Sequence, residues 1–156
     1  MSAMTAFARR LAAMAQPGLV TLRSEGSVAE ILLHNPERRN ALSGPMMAQL
    51  ATAVTELEGW DVGAAVVLTG ADGTFCAGLD LELARGELST PEQGALMSHF
   101  MTETLNRLRE LPILSVAAVD GYAVGGGAEL STATDWRVMA PNSMVRFVHA
   151  KMGAAP

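Results

Sequence analysis

The chain has 156 residues, 49% of them hydrophobic and 17% charged, with a net charge of −5, which suits one compact domain and excludes a disordered chain. The negative balance, without a basic stripe interleaved with aromatics, excludes a general nucleic-acid binder, and no apolar run approaches the roughly 20 residues of a membrane span. Cys76 is the only cysteine, so an intrachain disulfide is excluded and a reducing compartment is expected; His34, His99 and His149 lack metal-ligand spacing, so no metal is expected.

The first 24 residues carry Arg9, Arg10 and Arg23 and no acid. That pattern resembles a weak mitochondrial presequence, but residues 1–18 are read as an untargeted, disordered leader. Val20–Leu22 and Val28–Leu33, split by Ser24-Glu25-Gly26, read as paired strands ending at Asn35-Pro36. A helix follows from Ser43 to Leu57, with Ser43 as N-cap, Pro45 in the first turn, and Met46, Leu50, Ala53, Val54 and Leu57 on one face. Ala64–Thr69 is an unbroken apolar run of the buried-strand kind, closed by Gly70-Ala71-Asp72-Gly73. Thr90-Pro91-Glu92-Gln93 is a capping box that opens a helix to Glu110, with Leu96, Phe100, Met101, Leu105 and Leu108 as its buried stripe. A further apolar strand, Ile113–Val119, leads into a turn and the glycines 125–127. Buried strands separated by helices of this length imply an α/β fold with crossovers.

Two loops carry the chemistry. Gly125-Gly126-Gly127 precedes Glu129 at a helix start, where unpaired N–H groups favour an anion and missing Cβ atoms permit close approach. Thr74–Asp80 likewise follows a buried strand. Two such loops at the same end of neighbouring strands can aim two backbone N–H groups at one oxygen, which suits charge developing on a thioester carbonyl. Glu129 adds a proton-handling group. Cys76 is better read as a buried small residue than as a nucleophile, since no histidine partner can be placed beside it.

With NPERRNALS at 35–43, VVLTGADGTFCAGLDL at 66–81 and AAVDGYAVGGGAELSTATDWRVMA at 117–140, the chain resembles the crotonase (enoyl-CoA hydratase/isomerase) superfamily. The resemblance implies an α/β spiral of ββα units binding an acyl-CoA over residues 19–156. It implies oxyanion donors at the N–H groups of Leu79 and Gly126 and a catalytic carboxylate at Glu129. Coenzyme contacts fall near Arg39, Ala41, Ala77 and Leu79. Arg38 and Arg39 suit CoA phosphates as charge-assisted donors, the alternative being a solvated turn. The CoA thioester is substrate, so no separate cofactor is expected.

Counting from Asp135, the place of a second hydratase glutamate holds His149. That difference and the run Val145–His149 resemble the branch of the superfamily that removes carbon dioxide from ethylmalonyl-CoA, and methylmalonyl-CoA is a second possible substrate. An ionised Glu129 would repel the substrate carboxylate, so it is expected to meet substrate protonated or turned away; His149 is expected to orient the leaving carboxylate or assist proton return, with a packed structural histidine as the other reading. The implied setting is cytosolic removal of side products, with the mitochondrion second. An enoyl-CoA hydratase/isomerase and an inactive CoA binder are the rival functions. Superfamily members continue with a C-terminal helical region that covers the acyl pocket and builds a trimer; the resemblance implies that this region is absent here.

Overall fold

The expected hairpin at the start of the core forms, in a computed structural model that describes residues 2–148. Strands β1 (Leu19–Glu25) and β2 (Val28–His34) pair antiparallel, and β2 then pairs in parallel with β3 (Ala65–Gly70). Next come β4 (Leu114–Val119) beside β3 and β6 (Trp136–Met139) beside β4, both parallel. The resulting sheet has the order β1-β2-β3-β4-β6. A second, two-stranded parallel sheet joins β5 (Tyr122–Val124) to β7 (Met144–Arg146), and Cys76 adds a parallel bridge to Ala123 on β5. Each circuit of the chain therefore leaves a long strand in the large sheet and a short pairing segment beside it: β3 then Cys76, β4 then β5, β6 then β7. This is the α/β progression of ββα units that the family resemblance implies.

Four longer or shorter helices close the circuits. Helix α2 (Gly44–Glu58) is capped by Ser43, which accepts from the Met46 N–H. Its expected apolar face is buried throughout: Met46, Leu50, Ala53, Val54 and Leu57. Helix α4 (Pro91–Arg109) starts at the Thr90 cap as read, but its buried stripe is Met97, Phe100, Thr104 and Leu108. Leu96, Met101 and Leu105 only flank the core. The difference has a simple cause, since 97, 100, 104 and 108 follow the i, i+3, i+4 face and the Thr104 hydroxyl is satisfied by donating to the Phe100 carbonyl at 2.9 Å. Helix α5 (Gly126–Thr132) follows β5. Helix α3 (Leu81–Glu87) was not expected; Asp80 caps it by accepting from the Glu82 and Leu83 N–H groups.

The expectation of a disordered leader over 1–18 is corrected. Ala3–Ala12 form helix α1, capped by Ser2, with Arg9 and Arg10 in its last turn where the helix dipole favours cations. Phe7 and Leu11, one turn apart, are buried. Phe7 meets Phe100 edge-on at 5.8 Å, and Arg10 pairs with the buried Glu87 at 2.5 Å. An apolar i, i+4 pair and a buried partner charge thus hold this segment on the domain. Alternation along the sheet sends Ile31, Leu33, Val66, Leu68, Ala117 and Val119 into the same core as α1, α2 and α4.

Candidate active site

The two glycine-bearing loops leave neighbouring parallel strands, β3 and β4, at their C-terminal ends, where ligands commonly bind in α/β sheets. They are stitched to each other and to the segment before α2. Phe75 N–H donates to the Asp120 carbonyl at 2.8 Å, Cys76 N–H to Tyr122 at 2.9 Å, and Val124 N–H back to Cys76 at 2.9 Å. On the other side, Ala77 N–H donates to the Arg39 carbonyl at 3.0 Å, Leu42 N–H to Gly78 at 2.7 Å, and Asp80 N–H to Leu42 at 3.0 Å. This parallel bridge between Leu42 and Leu79 uses the groups on either side of Leu79, so the Leu79 N–H points away from it.

The Leu79 nitrogen lies close to Gly126. A Cβ placed on Gly126 would lie 3.8 Å from the Leu79 nitrogen and 3.8 Å from Glu129 Oε2. The two proposed donors and the carboxylate therefore converge on one small region. Gly126 is the first residue of α5, so its N–H has no intrahelical acceptor. Among the described residues, no backbone or side-chain acceptor takes either N–H. Glu129 is half-buried, with its backbone N–H bonded to the Gly125 carbonyl at 3.0 Å.

Glycine is required for this approach. A Cβ on Gly78, at φ +97°, would fall 2.7 Å from the Val124 carbonyl oxygen, and one on Gly127 would fall 2.2 Å from that of Cys76. Both are overlaps with backbone, which cannot swing aside.

The residues read as coenzyme contacts lie along one seam. Arg39 and Ala77 share a backbone hydrogen bond, Ala41 is buried one residue before the Leu42–Leu79 bridge, and Leu79 is half-buried. Arg39 is exposed, with φ +53° at the end of the 3-10 turn Pro36–Arg38. Arg38 is otherwise engaged: its guanidinium donates to Asp80 at 2.8 Å and to Glu82 at 3.2 Å. His149 lies outside the described residues. Cys76 is fully buried, and burial pushes its thiol up to about 12, so it is no thiolate nucleophile at neutral pH.

Two residues of the site were not singled out from sequence. Buried Asn40 donates through Nδ2 to the carbonyls of Ala71 at 2.7 Å and Thr74 at 2.6 Å, fastening the turn that starts the first loop. Asp80 is 3% exposed and holds the other end. Burial works against its charge, but hydrogen bonds from Arg38 and from the Leu83 and Glu82 N–H groups outweigh it and lower its pKa. The Asp80-Leu81-Glu82 cap signature was the available signal for the latter. No cluster of three or more potential metal ligands occurs among the described residues, and no helix there is long and apolar enough to cross a membrane.

Comparison with known proteins places this arrangement. The chain is 48% identical over 135 residues to ethylmalonyl-CoA decarboxylase of Mus musculus, covering 86% of this chain and 42% of that protein. The Homo sapiens ethylmalonyl-CoA decarboxylase is 48% identical over 140 residues, 89% of this chain and 45% of the relative. The chain thus spans less than half the length of these relatives. Among solved structures, a putative enoyl-CoA hydratase/isomerase family protein from Hyphomonas neptunium superposes with a TM-score of 0.83 at 29% identity, over 88% of this chain and 53% of the other. An enoyl-CoA hydratase from Bacillus anthracis gives 0.82 at 29%, over 88% and 53%. Residues 23–156 match the family model for enoyl-CoA hydratase/isomerase, and with the two loops converging as described, the chain belongs to that family.

Proposed function

We propose that this chain carries the carbonyl-binding half of an acyl-CoA decarboxylase acting on ethylmalonyl-CoA, with methylmalonyl-CoA as a smaller alternative. The observation that carries the reading is the convergence of Leu79 N–H, Gly126 and the Glu129 carboxylate; the names of the relatives at 48% identity supply the substrate. The thioester carbonyl accepts from Leu79 and Gly126. The bond from the α-carbon to the carboxylate breaks, its electrons pass into the thioester as an enolate, and carbon dioxide leaves. The two N–H groups stabilise the enolate oxygen more than the ground-state carbonyl. One proton, delivered to the α-carbon from the Glu129 side, completes butyryl-CoA. Arg39, exposed beside the seam, supplies a cation for the coenzyme's phosphates.

Hydration of an enoyl-CoA is the second reading, favoured by the titles of the structural relatives. It requires proton removal and return at neighbouring carbons, and the place read for a second glutamate holds His149. Incubating the chain with ethylmalonyl-CoA and with crotonyl-CoA, and following mass, separates the two. Any turnover by this part of the enzyme is expected to be slow, and to appear as loss of carbon dioxide with little gain of water. Efficient hydration without decarboxylation would overturn the proposal, and binding of butyryl-CoA with neither reaction would leave a CoA-binding role. His149→Glu should depress decarboxylation by setting negative charge near the substrate carboxylate; an unchanged rate would remove His149 from the site.

A further inference from the structure

We propose that the Arg38–Asp80 ion pair positions the Leu79 N–H, so that Arg38 serves the reacting carbonyl and not the coenzyme's phosphates. The inference rests on the reading of Leu79 and Gly126 as carbonyl donors. Asp80 directly follows Leu79 and is held from three directions. Its backbone N–H is bonded to Leu42, its Oδ1 accepts from the N–H groups of Glu82 at 2.9 Å and Leu83 at 3.2 Å, and its Oδ2 accepts from Arg38 at 2.8 Å. On the other side of Leu79, Ala77 is bonded to Arg39, the residue after Arg38, and Gly78 to Leu42. The segment 38–42 therefore grips the loop at 77, 78 and 80, and leaves the Leu79 N–H on the side away from the bridge, with its nitrogen close to Gly126.

Arg38 is badly placed for a phosphate. Two carboxylates, Asp80 and Glu82, already occupy its guanidinium. A phosphate that drew it away would leave the buried Asp80 charge with only the Glu82 and Leu83 N–H groups, which is unfavourable. Arg39, by contrast, is exposed and has no ion pair among the described residues. The two adjacent arginines thus divide the work between the loop and the coenzyme.

The test uses butyryl-CoA carrying ¹³C at its thioester carbonyl, which cannot decarboxylate, and reads the carbonyl stretching frequency of the bound ligand. The unmodified chain should shift the band to lower frequency. Arg38→Met and Asp80→Asn should lose much of that shift, and any decarboxylation should fall about tenfold to a hundredfold, as for a slightly misplaced donor. Asn remains a good helix cap, so Asp80→Asn removes the charge while keeping the acceptor; circular dichroism checks each fold, and Arg38→Met at a partly exposed side chain covers a failure of the other variant. The preference for butyryl-CoA over butyryl-dephospho-CoA should survive Arg38→Met and collapse in Arg39→Met. Full shifts in folded variants would overturn the inference alone, as would collapse of that preference in Arg38→Met. No shift in the unmodified chain would overturn the donor reading and this inference together. A shift lost in the variants, with no carbon dioxide from ethylmalonyl-CoA, would uphold the inference and sink the decarboxylase.

Discussion

The two sides of the site are held by different forces. The Gly126 side is held by backbone: Gly127 lets α5 lie against the Cys76 carbonyl, and Gly125 adopts φ +54° with its N–H bonded to Arg146. The Leu79 side adds side chains to its backbone bonds with residues 39 and 42, through Asn40 at one end of its loop and Arg38 with Asp80 at the other. A backbone-held donor tolerates changes of pH and salt but not added atoms where backbone meets backbone, as at Gly127. A charge-held donor tolerates small changes of shape but depends on ionisation, and its exposed part is screened by salt.

The largest expected effect comes from deleting the backbone-held donor. Gly126→Pro removes an N–H and should raise the barrier by roughly 2.7–4 kcal/mol, about a hundred- to thousandfold in rate. A variant folded by circular dichroism with normal turnover would place the donor elsewhere. Gly126→Ala keeps the N–H, and its Cβ would stand 3.8 Å from its nearest neighbours, so the rate should fall far less.

Gly127→Ala tests the packing on the same side. Its Cβ would sit 2.2 Å from the Cys76 carbonyl oxygen. The overlap is with backbone, and a loss near the upper end of the roughly 1–3 kcal/mol typical of overpacking is expected in urea unfolding. An unchanged midpoint would show that α5 can withdraw from the Cys76 strand without cost.

Acid should act mainly through the charge-held side. Asp80 has a lowered pKa despite its burial, because Arg38 and the Leu83 and Glu82 N–H groups hold the ionised form; Asp135 is lowered by the Ser115 N–H and hydroxyl. Both contributions are present above the ordinary value of 3.8 and are lost as pH falls through the lower folded values. Thermal melts between pH 6 and pH 2 should therefore drop more steeply for the unmodified chain than for Asp80→Asn. Parallel profiles would mean that the Asp80 charge adds no stability.

The smallest effect is expected where the two sides meet. Cys76→Ala should destabilise by about 1 kcal/mol, the centre of the range for single substitutions, while leaving turnover close to the original. Abolished turnover in a folded variant would restore Cys76 as a chemical participant.

Much of the fold was legible because local signals were strong. Ser43 before Pro45, the Thr90 capping box and the runs at 28–33, 64–69 and 113–119 each report their own conformation, since caps and burial act over a few residues. Glu129 and the two glycine loops stood out because their spacing relative to strand ends has few other uses. Helix α1 did not, because Phe7 and Leu11 mark a helix only when Phe100 and α2 are there to cover them. The stripe of α4 slipped by one residue for the same reason: Thr104 is polar by itself and buried only once it bonds to Phe100. Arg38 and Arg39 look equivalent in sequence, but only the folded chain brings Asp80, forty-odd residues on, against one of them. Sequence alone thus determined strands β1 to β4 and the capped helices α2 and α4, since apolar runs and caps depend on neighbours in the chain, whereas Gly78 and Gly127 must be glycine because of the distant Val124 and Cys76 carbonyls. Which N–H lies beside Gly126, and which arginine is left for a ligand, depends on contacts between distant segments, and only the tertiary structure decided that.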